Sequence, residues 1–321
     1  MNFHLEFSPQ IFDIAVQHKH RLFLIGSCFT EQIGNKLKQH KFRVLDNPNG
    51  ILFNPISISQ SVSSYISNKQ YTEADLFYQN ESWNSWEHHS RFSHPDQTVC
   101  LRMINASQQA AHDFLKTADW LLITLGSAFV YELENKDVVA NCHKVPTDKF
   151  NKKLLSSTEV VTALQNMMAE IKVFNPFAKI IFTISPVRHL RDGFVENNRS
   201  KATLITAVHQ LLSDEVIYFP AYELIIDDLR DYRFFAEDLV HPNYSATNYV
   251  WEKFIATCID EPSQQLMKTI NEINAAASHK PFNPTSAAHK KFLQHNLEKL
   301  RKIRNQYPYI DFSAEEQYFG S

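Results

Sequence analysis

The stretch Leu22-Phe23-Leu24-Ile25-Gly26-Ser27-Cys28-Phe29-Thr30-Glu31 decides the fold. Its four consecutive apolar residues have the length and composition of a buried strand. Gly26 lets the chain bend sharply behind them, and the residues that follow favour a helix. Ser27 and Cys28 then stand at a helix N-terminus, where backbone N–H groups and the helix dipole favour negative charge. Such a position stabilises an oxyanion and lowers a thiol's pKa. The plainer role for the same pair is a helix cap at Ser27 and a small buried apolar side chain at Cys28.

Three further apolar runs, Trp120 to Leu125, Lys179 to Ile184 and Val216 to Phe219, read as strands. Between them Val160, Val161, Leu164, Met167, Met168 and Ile171 recur at helical spacings of three and four. A helix is expected over about Lys201 to Leu212, with Asn198 or Ser200 as its cap or in contact with substrate, and a closing helix over about Ser245 to Thr257. Strands alternating with helices predict a doubly wound α/β domain, a three-layer α/β/α sandwich on a mostly parallel sheet. In such sheets reactive groups gather beyond the carboxyl ends of the strands, where Ser27/Cys28, Gly126/Ser127 and Ser185/Arg188 would meet. Residues 56–110 fit the alternation poorly and read as an insertion over the sheet edge. From Glu261 the composition shifts to Gln, Lys, Asn, Glu and Ala, and an amphipathic helix is expected from about Ser286 to Asn305. The expected organisation is a domain over 1–260 and a helical C-terminal extension over 261–321.

Composition narrows the function classes. The chain of 321 residues is 44% hydrophobic and 21% charged, the profile of a globular protein. Its net charge of −3 and lack of a long basic run point away from nucleic acid. Cys28, Cys100, Cys142 and Cys258 are scattered and form no CxxC pair, which suits a reducing compartment. Met1 to His20 lacks the order of a signal peptide, and no stretch approaches the roughly 20 apolar residues of a membrane span. A cytoplasmic protein is the expectation. No HExxH spacing marks a metal site, and no metal or cofactor is expected.

The second chemical signal is Glu237-Asp238-Leu239-Val240-His241-Pro242-Asn243. His241 can act as a general base if Asp238 fixes its tautomer, which completes a nucleophile, base and orienter arrangement with Cys28 or Ser27. Trp86, His88, His89, Arg91, His143, Arg188 and His189 could line a pocket for anionic or hydroxyl-rich substrates, or could cover the sheet and bond to loop carbonyls.

These segments, with Asn47-Pro48-Asn49-Gly50-Ile51-Leu52-Phe53-Asn54-Pro55, Trp86 to Phe92, Asn141-Cys142-His143-Lys144 and Ser185-Pro186-Val187-Arg188-His189, resemble the GSCFA family. That family looks related to the SGNH, or GDSL-type, esterases and acyltransferases. The resemblance implies an SGNH-like, flavodoxin-like fold and an ester substrate, including O-acyl groups on a carbohydrate. Asp238 and His241 match the superfamily's Asp-x-x-His pair. Aligning Gly26 with the family glycine puts Ser27 at the Asp and Cys28 at the nucleophilic serine, so register favours Cys28 and chemical convention Ser27. The implied oxyanion donors are the backbone N–H groups of Cys28 and Gly50. Leu125-Gly126-Ser127-Ala128-Phe129 lacks the Asn of the superfamily's Gly-x-Asn, whose role would pass to Ser127 or Asn141. The alternative function is a glycan- or peptide-binding module that keeps the fold, using Trp86 to Arg91, without turnover.

Overall fold

Arg21–Gly26 form strand β1, and its alternating side chains divide the molecule into layers. Phe23 and Ile25 point into one core and Leu22 and Leu24 into another, as the two-residue repeat of a strand requires. In the computed structural model, which describes residues 5–320, β1 belongs to a five-stranded sheet with β2 (Arg43–Asp46), β3 (Trp120–Leu125), β4 (Lys179–Ile184) and β5 (Val216–Phe219). The spatial order is β5-β4-β3-β1-β2, and every neighbouring pair is parallel. This is the flavodoxin-like doubly wound order, whose switch point lies between β1 and β3.

Helices α2 (Pro55–Ser67), α3 (Gln97–Leu115), α4 (Ser157–Phe174) and α5 (Gly193–His209) cover the Phe23/Ile25 face through residues such as Val62, Leu115, Leu164 and Leu204. Helices α1 (Cys28–Gln39) and α6 (Tyr244–Cys258) cover the other face with Phe29, Leu37, Val250 and Phe254. The three-layer α/β/α sandwich predicted from the alternation of apolar runs is the architecture of the chain.

Several boundaries differ from the sequence reading, each for a physical reason. Strand β2 was not expected: Arg43-Val44-Leu45-Asp46 is a half-exposed edge strand with charged ends, so it carries no apolar run. Residues 56–110 are largely helical, because α2 and α3 fill both ends of that span. The serines at 57, 59, 61, 63, 64 and 67 hide the apolar stripe Ile58, Val62 and Tyr65 of α2. The irregular part is narrower and holds a small antiparallel hairpin of Phe77–Gln79 and Ser82–Asn84. Helix α5 begins at Gly193, ahead of the expected start at Lys201, after Asp192 at its cap position. Asn198 and Ser200 therefore lie inside the helix and do not cap it; the Ser200 hydroxyl instead accepts the Ala128 N–H at 2.7 Å.

After β3, strands Phe129–Glu132, Val138–Val139 and Asn151–Leu154 form a second small antiparallel sheet. At the C-terminal end, α7 (Glu261–Ala277), α8 (Ala287–Gln306) and α9 (Ser313–Phe319) bury a core of their own around Ile270, Leu300 and Phe312. They are tied back to the sandwich where Ser263 Oγ accepts the His18 N–H at 2.7 Å and Asn274 donates to the Gln39 carbonyl at 2.8 Å. No helix among the described residues is long and apolar enough to cross a membrane. The leader reading of Met1 to His20 falls in part on residues 1–4, outside the described residues.

Gly26 is the position at which β1 can turn. Its φ is +142°, and a Cβ there would lie 2.2 Å from the Thr124 carbonyl oxygen on β3. Gly26→Ala therefore combines backbone strain with a clash against a central strand. It is expected to lower unfolding stability by at least about 3 kcal/mol, read from the midpoint of urea denaturation.

Candidate active site

The chain leaves β1 through Gly26, whose N–H donates to Asn47 Oδ1 at 2.8 Å and whose carbonyl accepts the Leu52 N–H at 2.9 Å. The Ser27 N–H donates to the Thr124 carbonyl at 3.2 Å, which extends the sheet ladder one residue past the strand. Ser27 is fully buried and is the N-cap of α1, its Oγ accepting the Phe29 N–H at 3.3 Å. Cys28 is the first helical residue and is only partly buried. Of the two candidate nucleophiles, one is thus engaged in capping and the other reaches the surface. Burial pushes the Cys28 thiol up; the N–H groups of Phe29 and Cys28 and the positive charge of Lys201 oppose that shift, while Glu31 adds to it.

Asp238 and His241 share a tight turn in which Leu239 takes a left-handed φ of 58°. Asp238 Oδ1 accepts the backbone N–H groups of Val240 at 2.9 Å and His241 at 3.0 Å, and its Oδ2 meets His241 Nδ1 at 2.7 Å. Those two backbone donors, followed by the ring, hold the Asp238 carboxyl down at about 2. An ionised carboxylate at Nδ1 places the proton on that nitrogen and leaves Nε2 free to accept another. The turn is docked on the loop after β4: the Arg188 N–H donates to the Val240 carbonyl at 3.2 Å, and the guanidinium lies over Phe235 at 4.1 Å and Tyr232 at 4.9 Å. Among the described residues no hydrogen bond joins His241 to Cys28. Contacts of this kind commonly tighten only when substrate is bound.

The residues between these two turns come from neighbouring strand ends. The Lys201 side chain of α5, fully buried, donates to the carbonyls of Gly126 at 2.6 Å and Ser185 at 2.7 Å. His189 packs its ring edge-on to Phe53 at 5.2 Å, and its Nε2 is a buried atom without a hydrogen-bond partner. Burial takes the His189 imidazole down to about 3, with Lys201 and His241 adding repulsion of further positive charge.

The expected oxyanion donors fare unequally. Gly50 is in the turn beside the nucleophile, but its N–H donates to the Asn47 carbonyl at 2.8 Å. Ser127 Oγ accepts the Phe129 N–H at 3.0 Å, and its own N–H donates to the Phe53 carbonyl at 2.9 Å. Asn141 accepts the His143 N–H at 2.8 Å within its own turn, next to Ala140, whose N–H bonds to the Trp86 carbonyl. Gly50 and Asn141 are engaged within their own turns and Ser127 with the Phe53 carbonyl, whereas Cys28 stands at the first position of α1.

The aromatic and basic residues separate into two sets. His89 and Arg91 stand at the nucleophile turn: a Cβ at Gly50 would meet His89 Cβ at 2.2 Å, and Arg91 bonds both the Glu31 carboxylate, at 2.9 Å, and the Asn47 carbonyl. Trp86, His88 and His143 belong to the covering layer. Trp86 stacks on Phe77 at 3.7 Å, His143 Nε2 pairs with the Ser85 carbonyl at 2.8 Å, and His88 Nδ1 pairs with Ser85 Oγ at 2.9 Å. For these three the covering role is the one their contacts describe. Lys201 is the site residue that sequence reading valued least, because a lysine inside a polar helical segment gives no sign of burial. No group of three or more His, Cys, Asp or Glu side chains among the described residues is arranged to hold a metal.

His88 makes this layer acid-sensitive. Burial, with a smaller contribution from Lys69, lowers its pKa to about 3 against an ordinary 6.5. Between those two values the unfolded chain binds a proton that the folded chain does not, so stability falls as pH drops through 6.5. At pH 5 the loss from this residue is about 2 kcal/mol. In urea titrations at about pH 7.5 and about pH 5, His88→Asn is expected to show a smaller acid-dependent loss of stability than the parent by about that amount.

Among comparisons with known proteins, family models match the chain, and the similar solved structures are distant. No curated protein matches the chain by sequence. A carbohydrate esterase family 3 structure from Talaromyces cellulolyticus is similar at 8% identity and a TM-score of 0.37, over 79% of this chain and 99% of that one. A mutant acetyl esterase with acetate ion is similar at 10% identity and a TM-score of 0.36, over 79% of this chain and 99% of that one. The acetyl xylan esterase Est2A from the rumen bacterium Butyrivibrio proteoclasticus is similar at 12% identity and a TM-score of 0.37, over 76% and 64%. The profile described as "GSCFA domain protein, C-terminal domain" matches residues 270–321, and that of the GSCFA family matches residues 21–254. The chain belongs to the GSCFA family.

Proposed function

We propose that the protein is an SGNH-like hydrolase or acyltransferase acting on an ester, with O-acyl groups on a carbohydrate as the substrate class. The observation that carries this reading is the 2.7 Å contact of Asp238 with His241 Nδ1, which leaves Nε2 as a base on a turn tied to the sheet edge where α1 presents Cys28. Cys28 Sγ attacks the acyl carbon as its proton passes to His241 Nε2, the ester C–O bond breaks, and the imidazolium returns that proton to the leaving alcohol. The developing oxyanion is met by the Cys28 N–H at the positive end of α1. A water molecule, deprotonated by His241 Nε2, then attacks the thioester and breaks the C–S bond. Attack by a second alcohol in place of water makes the same site an acyltransferase. Asp238 keeps His241 in the correct tautomer and stabilises the imidazolium that forms. His89 and Arg91, beside the nucleophile turn, contact the acceptor.

One observation favours the alternative of a binding module: the N–H groups of Gly50 and Ser127 are both committed to backbone carbonyls, of Asn47 and Phe53. Trapping separates the two readings. With an activated acetyl ester such as p-nitrophenyl acetate, the peptide containing Cys28 is expected to gain one acyl group and then lose it with turnover. The adduct disappears in Cys28→Ala, and His241→Ala slows turnover by about 10²- to 10⁴-fold. An adduct absent from the parent, or turnover indifferent to His241→Ala, would remove the covalent mechanism.

A further inference from the structure

Leu239 stands in the turn that carries the base, and both its backbone and its exposure are unusual. Its φ of 58° is left-handed, a conformation that glycine and asparagine adopt readily and a leucine adopts at a cost. The turn fixes it there: the Leu239 N–H donates to the Ala236 carbonyl at 2.9 Å, the Ala236 N–H to the His241 carbonyl at 2.7 Å, and Arg188 to the Leu239 carbonyl at 3.5 Å. The side chain adds little to the protein's own core, being 49% exposed. A strained backbone that displays an apolar side chain two residues from a general base is an outlier that calls for a functional account.

Leu239 is not isolated. Tyr232, 52% exposed, precedes the turn in the chain, and Tyr244, 79% exposed, follows it. Arg188 binds Tyr232 to the turn: its guanidinium lies 4.9 Å from the ring centre, while its N–H donates to the Val240 carbonyl at 3.2 Å. The Asn243 N–H closes the flanking segments together by donating to the Phe234 carbonyl at 2.9 Å. Phe194 and Val195, also exposed, open α5 shortly after the loop that holds Arg188. Five of the thirteen exposed large apolar side chains among the described residues thus fall in two segments, 194–195 and 232–244. One segment contains the base and the other follows the loop docked on it. Single exposed apolar residues are ordinary, but several gathered at a reactive group mark a binding surface.

We propose that the acyl group taken by this site carries a medium-length or longer alkyl chain, which lies on an apolar rim of Leu239 and Tyr232 at the turn of His241. The proposal rests on the esterase reading and names its acyl group. The side chains of His241 and Asp238 are 44% and 49% exposed, so the protein by itself leaves the pair open to water. A chain laid over Leu239 takes apolar surface of both partners out of water and covers the pair, where proton transfer gains from the exclusion of solvent. An acetyl group offers only one methyl to such a surface.

Hydrolysis of p-nitrophenyl acetate and of p-nitrophenyl octanoate, the latter kept below the concentration at which it aggregates, gives the ratio of their kcat/KM values. In the parent this ratio is expected to favour octanoate by at least about tenfold. Leu239→Asn suits the left-handed backbone and is expected to match the parent in thermal unfolding, with the ratio lowered roughly five- to tenfold. Tyr232→Ser, outside the turn, is expected to lower it in the same direction, and Leu239→Met to restore it. Binding of dansyl-labelled undecanoic acid, followed by fluorescence, reads the chain without turnover and is expected to weaken in Leu239→Asn and Tyr232→Ser. Equal turnover of the two esters, or a ratio indifferent to both variants, overturns the proposal and leaves the esterase reading standing. Chain binding that depends on Leu239 and Tyr232 with neither ester turned over keeps the rim and rejects the esterase reading. Sedimentation with phosphatidylcholine vesicles without binding of the soluble probe also overturns the proposal, and makes the rim a membrane face.

Discussion

Everything at the candidate site depends on the close approach of β1 and β3 at Gly26. Thr124 receives the Ser27 N–H on its carbonyl, and that carbonyl occupies the space where any Cβ at residue 26 would go. Because the strands touch there, the chain must leave the sheet at Gly26, and α1 starts just beyond it with Cys28 at its first position. Gly126 follows on β3, and its carbonyl receives the ammonium of Lys201. Cys28 and Lys201 are thus both anchored at the ends of adjacent strands, although they are far apart in sequence.

Much of this was legible in the residues. The apolar runs of β1, β3, β4 and β5 identify buried parallel strands because both of their faces are covered, and the three-residue spacing of Asp238 and His241 is short enough for the two side chains to meet. The rest was obscured for definite reasons. β2 lies at the edge, where Arg43 is exposed and the other three residues are only partly buried, so periodicity has little to report. The serines of α2 are compatible with close helix packing, yet in sequence they hide its apolar stripe, so the span from residue 56 reads as part of an insertion. For Asn198 the error ran the other way, since a residue suited to capping sits mid-helix while Asp192 takes the cap position. Lys201 gave no signal at all, because burial of a lysine depends on carbonyls contributed by Gly126 and Ser185, 75 and 16 positions away.

The covering layer has its own logic. Buried His88 and His143 are arranged around Ser85, which serves one ring through its hydroxyl and the other through its carbonyl. Tyr71 and Phe92 pack edge-on to His88 at 4.8 and 5.4 Å, so polar rings are held in place by aromatic ones. Arg91 then connects this layer to the nucleophile turn, since a single guanidinium holds Glu31 in the first turn of α1 and the carbonyl of Asn47.

That guanidinium makes the two parts mechanically dependent. Asn47 also supplies the acceptor for the Gly26 N–H. A displacement of the loop carrying Arg91 is therefore felt at the bend from which Cys28 projects. The position of that loop and the placement of the sulfur are coupled through a planar five-donor side chain that a lysine could not replace.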